Sequence, residues 1–234
     1  MRAQAAATFL TCWLATAMSP ATAQAQSPGS PASNALRFFE SVPPGDVSAI
    51  LRALRPLPIT SDERARTLAV LPAEGELPPD AKELAKLSAL EVVLVYHERQ
   101  RLFDIKVIDV PQAVVGLHQR AVLLISRPAL RFLSASELQA LVAHEIGHEY
   151  FWRDYERARE RRDLRGRQEL ELKCDGIAVL TLISLGLDPA RLADGIRKMT
   201  DFNEILGATA NADEYPRMQD RMRFARALLR KSRP

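Results

Sequence analysis

Two cysteines are all that this chain has, Cys12 and Cys174, and Cys12 falls in a stretch that reads as a removable leader. Arg2 gives a positive start, Ala5 to Met18 is uncharged and largely apolar, and Ala21-Thr22-Ala23 and Ala23-Gln24-Ala25 both offer the small-x-small pattern that signal peptidase cuts. Residues 1–25 are therefore expected to be a signal peptide, with the mature chain starting at Gln24 or Gln26 and exported to a bacterial periplasm or secreted. An uncleaved anchor is the competing reading, against which the short apolar stretch argues. Phe9-Leu10-Thr11 lacks the small residues that precede a lipidated cysteine, so lipidation is not expected. One remaining thiol excludes an internal disulfide.

Long apolar runs are also lacking after the leader. The best, Gly176 to Leu187, falls short of the roughly 20 residues that a membrane helix needs. Glycine is scarce, with no phosphate-cradling loop and no internal repeat, and nucleic acid is not an expected partner. Net charge is only +3, but seven Lys/Arg between Arg217 and Arg233 face the single Asp220. Such a basic terminal helix is expected either to contact an anionic envelope surface or to be a solvated face.

What remains suits one main domain of the α+β class, mainly helical. Residues 26–34, rich in Ser, Pro and Ala, read as a flexible leader. Residues 35–90 offer short amphipathic helices between prolines, clearest over Asp80 to Leu90, and 91–234 form the core. Val92 to Tyr96 and Leu102 to Val110 are β-branched and apolar around a polar turn at Glu98 to Arg101, which predicts a hairpin. Ala121 to Ser126 predicts a third strand. A helix follows Pro128, and then another, capped by Ser134 or Ser136 with Glu137 in its first turn.

That last helix contains His144-Glu145-Ile146-Gly147-His148. Two His four positions apart lie about 40° apart around a helix and one turn along it, so both rings can reach one ion. Zinc in a catalytic site takes three protein ligands and leaves one position open. His97 and His118 read as surface or loop residues without a role, so the third ligand should be a carboxylate. Glu171 suits, because Asp175 shares its helical face and can orient a ligand imidazole; Glu169 is the alternative. Cys174 reads as a small residue packed between helices rather than as a ligand or nucleophile.

These motifs resemble the gluzincin metallopeptidase family that includes the CAAX prenyl proteases and HtpX-like proteases. The resemblance covers roughly Val92 to Leu228. It rests on Leu124-Ile125-Ser126-Arg127, on the His-Glu helix, on Glu171 with Asp175 in an E-x-x-A-D pattern where Cys174 replaces Ala, and on Pro216 with Arg221. The family has His before that proline, and this chain has Tyr215. The resemblance implies a zincin-like fold with a small, mostly antiparallel sheet beside the His-Glu helix, and one zinc per chain on His144, His148 and Glu171. It further implies peptide-bond hydrolysis with Glu145 as general base, and transition-state roles for Tyr215 and Arg221. The alternative is a zinc-stabilised envelope chaperone or assembly factor with little proteolysis.

Two further expectations follow from geometry. A protein or peptide substrate could lie extended along the strand at 121–126 if that strand is a sheet edge. The charged stretch Arg153 to Arg167 looks helical throughout, yet a helix from His148 to Gly166 moves away by about 27 Å and five more residues return at most about 17 Å. The chain must therefore turn back near Arg159 for Glu171 to meet the His pair.

Overall fold

The computed structural model describes residues 29–40, 47–71, 78–208 and 215–231; the expected signal segment lies outside the described residues. Among the described residues five helices come first: α1 (Pro31–Glu40), α2 (Val47–Leu54), α3 (Ser61–Ala69), α4 (Ala81–Ser88) and α5 (Glu91–Tyr96). Three strands follow, β1 (Asp104–Ile108), β2 (Val115–His118) and β3 (Val122–Ser126). The rest is helical: α6 (Arg127–Phe132), α7 (Ala135–Tyr150), α8 (Trp152–Glu160), α9 (Leu164–Ser184), α10 (Ala190–Ile205) and α11 (Met218–Lys231). The architecture is mainly helical with one small sheet, an α+β arrangement. Among the described residues no helix is long and apolar enough to cross a membrane.

Side-chain caps set several helix starts. Thr60, Asp80 and Ser134 each accept the N–H of the glutamate three residues on, and Glu63, Glu83 and Glu137 reach back to the cap N–H, opening α3, α4 and α7. Each pair satisfies donors that a first turn leaves orphaned. Lys86 Nζ donates to the carbonyls of Leu130, Arg131 and Leu133 at 2.8, 2.9 and 2.6 Å, closing α6 and fixing the corner from which α7 departs.

The sheet is mixed rather than mostly antiparallel. Its order is β1-β3-β2, with β1 parallel and β2 antiparallel to β3. Both edges of β3 are therefore occupied, which removes it as an edge for an extended peptide and corrects the expectation for 121–126. The edge strand beside α7 is β2, which the sequence reading did not find.

The predicted hairpin is also corrected: its first arm is helix α5. Leu90, Val93, Leu94 and His97 are all buried, and their i, i+3, i+4, i+7 spacing presents one apolar face to the core. Burial at helical spacing overrides the β preference of Val92, Val93 and Val95. The expected flexible leader ends earlier than Asn34, because α1 begins at Pro31, a residue suited to a first helical position. Asn34 is already tied to Glu169 at 3.0 Å.

Helix α9 runs through the centre of the molecule, with α7, α8, α1 and α11 packed around it. Gly176 on α9 leaves room for the Phe39 ring of α1. Phe38 meets Phe151 edge-on at 5.4 Å, and Phe39 lies 6.1 Å from Phe224 of α11. These rings lock α1 against Phe151 at the end of α7, Gly176 of α9 and Phe224 of α11.

Candidate metal centre

The chain does turn back between the His-Glu helix and Glu171, at Arg162 rather than at Arg159. Helix α8 stops at Glu160, Arg162 takes a left-handed conformation with φ of 54°, and Asp163 caps α9 by accepting the Gly166 N–H at 2.8 Å. A Cβ at Gly166 would meet the Asp163 carboxylate, so the glycine leaves this cap room. The reversal brings α9 antiparallel to α7, with Gly147 packed against Cys174.

Four groups meet there. His144 and His148 stand one turn apart on α7 with ring centroids 5.0 Å apart. Glu171 Oε2 lies 3.4 Å from His144 Nε2, and Glu171 Oε1 lies 3.6 Å from His148 Nε2. Two ligands each about 2.0–2.1 Å from a tetrahedral ion stand about 3.3–3.4 Å apart, so these separations and this donor set fit zinc. On the far side of the first ring, Asp175 Oδ1 lies 2.9 Å from His144 Nδ1. Glu169, the alternative ligand, points elsewhere and pairs with Lys173 at 2.7 Å.

Glu145 belongs to the same cluster, since ligand atoms of His144, Glu145 and His148 all lie within 4.8 Å of one another. The two glutamates differ in partners. Glu171 faces both Nε2 atoms, whereas Glu145 Oε2 accepts the backbone N–H of Leu117 on β2 at 2.9 Å. An edge strand thereby aims the Glu145 carboxylate.

Arg221 is buried, although the sequence placed it in a basic tail. It donates to Asp175 Oδ1 at 2.9 Å and to Glu171 Oε2 at 3.0 Å. Burial opposes its charge, but the Asp175 and Glu171 carboxylates hold its pKa above the usual value. Burial alone would raise the Glu171 carboxyl; His148, His144 and Arg221 pull it well below the ordinary range instead. Burial likewise opposes a charged His144, yet hydrogen bonds to Asp175 and Glu171 raise it to about 10. Tyr215 is 43% exposed, and its electrostatic influence reaches both Arg221 and Tyr155. The ring of Tyr155, which sequence reasoning passed over, stands edge-on to His148 at 5.2 Å.

His97 is the largest departure from the sequence reading, because it is fully buried between the two site helices. Thr181 Oγ1 donates to Ile177 O at 2.7 Å, so it accepts from His97 Nε2 at 2.9 Å, and His97 Nδ1 accepts the Tyr150 hydroxyl at 3.0 Å. That network assigns the neutral Nε2–H tautomer. Burial, with Arg99 and Arg55 nearby, lowers its pKa to about 3. A second buried link pairs Arg99 Nε with Glu149 Oε2 at 2.6 Å, next to His148 in the chain. Helical spacing from Val93 and Leu94 was the signal that could have placed His97 inside. His118 sits on β2 and is half-buried.

Compared with known protein families and with curated proteins, the chain matches no family model and no curated sequence.

Proposed function

We propose that this protein is a zinc-dependent endopeptidase, with His144, His148 and Glu171 as metal ligands and Glu145 as general base. The observation that carries the reading is the Glu171 carboxylate, whose two oxygens stand 3.4 and 3.6 Å from the two Nε2 atoms, while Asp175 Oδ1 lies 2.9 Å from the other nitrogen of His144. A ligand carboxylate, an orienting carboxylate and a glutamate between the two His that a strand N–H aims make little sense as a structural site.

Bound zinc would polarise a peptide carbonyl and activate water for attack on it. Glu145 takes the water proton and returns it to the departing amine; held by the Leu117 N–H, it need not itself bind the metal. Arg221 steadies Glu171 and Asp175. Tyr215 supplies a neutral O–H for the developing oxyanion in the place where the resembling family has His. The substrate lies extended against β2, whose Leu117 N–H already turns away from β3 toward the site. The leader motif puts this chemistry outside the cytoplasm. The exposed Arg223, Arg226 and Arg230 on α11 offer the anionic envelope surface one basic face.

Metal analysis and casein cleavage test the reading, with wild type beside Glu145→Gln. Both proteins should hold one zinc per chain, and the variant should lose about 10²–10⁴-fold in cleavage rate. Zinc-loaded wild type that cleaves no better than Glu145→Gln would favour the non-proteolytic assembly-factor reading instead. A wild type without zinc ends both.

A further inference from the structure

We infer that Cys174 is a positioning residue, its sulfur accepting the Nδ1–H of His148 and so holding that ring's Nε2 toward the metal position. The inference rests on the metal-centre reading above. An imidazole that binds metal through Nε2 carries its proton on Nδ1, and that N–H needs an acceptor to fix tautomer and ring plane. His144 has Asp175 for this purpose. His148 has the thiol, with Cys174 Sγ 3.6 Å from Nδ1. The sulfur lies at the nitrogen opposite the one that faces Glu171, so it orients the ring and does not ligate.

Three features keep the sulfur in that place. Cys174 is fully buried, so no water competes with the sulfur for the His148 N–H. Helices α7 and α9 touch directly beneath it, because a Cβ on Gly147 would stand 2.8 Å from Cys174 Cα and 3.0 Å from its Cβ. Tyr155 packs edge-on against the same imidazole, at 90° to its plane. Glu171, Cys174 and Asp175 follow one another at i, i+3 and i+4, so a single face of α9 presents the carboxylate ligand and the partners of both imidazoles. A neutral sulfur holds a ring less firmly than a carboxylate does, which makes His148 the weaker-held ligand.

Cys174→Ala and Cys174→Ser, compared with wild type in the full mature chain, test this. Zinc affinity is read by chelator competition, the His148 Nδ1 proton by ¹⁵N-edited NMR of the zinc-loaded proteins, and packing by thermal midpoints of the metal-free proteins. Cys174→Ala should bind zinc about 10-fold more weakly and exchange its His148 Nδ1 proton faster, at an unchanged metal-free midpoint. Cys174→Ser, which restores an acceptor, should recover most of the affinity. Cys174→Ala with wild-type affinity and exchange overturns the role while leaving the metal centre standing. Weaker binding that Ser does not recover, together with a lowered midpoint in both variants, reduces Cys174 to packing and also overturns it. A wild type that holds no zinc overturns the metal-centre reading itself.

Discussion

An imidazole with a carboxylate oxygen near each nitrogen is charged before it is a ligand. His144, raised to about 10, carries its extra proton at neutral pH in the metal-free protein. A metal can take Nε2 only by displacing that proton, so zinc uptake should release at least one proton per ion and the apparent affinity should rise with pH across the neutral range. Calorimetry in buffers of different ionisation enthalpy counts the protons; zinc uptake without proton release would place the metal elsewhere. Asp175→Asn removes the anion that supports this arrangement and should weaken zinc by about 10–100-fold. Tyr215 is exposed and near enough to Arg221 to influence it electrostatically. If its hydroxyl serves the oxyanion, Tyr215→Phe lowers kcat by about 10²–10³-fold with zinc content and stability intact. Near-normal turnover would leave Tyr215 as a packing residue beside Pro216.

At the level of elements, the site depends on how closely α7 and α9 approach. Gly147→Ala puts a methyl against Cys174 backbone atoms that cannot move without the whole helix, so it should destabilise the fold by about 1–3 kcal/mol and weaken zinc binding. Gly116→Ala on β2, whose added methyl meets nothing within 4 Å, is the control, and urea unfolding measures both. Helix α7 was legible in the sequence because cap, periodicity and spacing agree there: Ser134 with Glu137, then buried Leu138, Leu141, Val142 and Ile146 around the His pair. The reversal before α9 was legible for another reason, since Glu171 cannot otherwise meet the His pair, although Arg162 rather than a glycine makes the turn. Strand β2 was not legible. Four residues including Gly116 carry no period, and its place is fixed only by pairing with β3 and by the Glu145 contact. Helix α5 misled for the opposite reason, because its valines favour a strand and only the buried face of the folded protein outweighs them. The partners of His97, on α7 and α9, lie 53 and 84 residues away, beyond any local pattern.

For the whole molecule, two buried histidines shift in opposite directions and bracket its stability. His97 ordinarily titrates near 6.5 and falls to about 3 in the fold, because burial and the nearby Arg99 and Arg55 disfavour its charge. Below pH 6.5 the unfolded chain takes up a proton that the folded one refuses. Stability from this group is therefore complete above 6.5 and lost as pH falls toward 3, by at most about 1.4 kcal/mol per pH unit. His144 does the reverse, rising from 6.5 to about 10 as the carboxylates outweigh burial. Its contribution is complete below 6.5 and is lost as pH climbs toward 10. For these two groups alone, the metal-free protein is most stable near pH 6.5. Zinc should then remove the alkaline limb but not the acid one, because the metal takes the place of the His144 proton while His97 stays enclosed by Tyr150 and Thr181. Urea unfolding from pH 4 to 9, with and without zinc, separates the limbs. His97→Gln should flatten the acid limb, and a metal-free alkaline limb that persists unchanged after zinc loading would show that His144 is not a ligand.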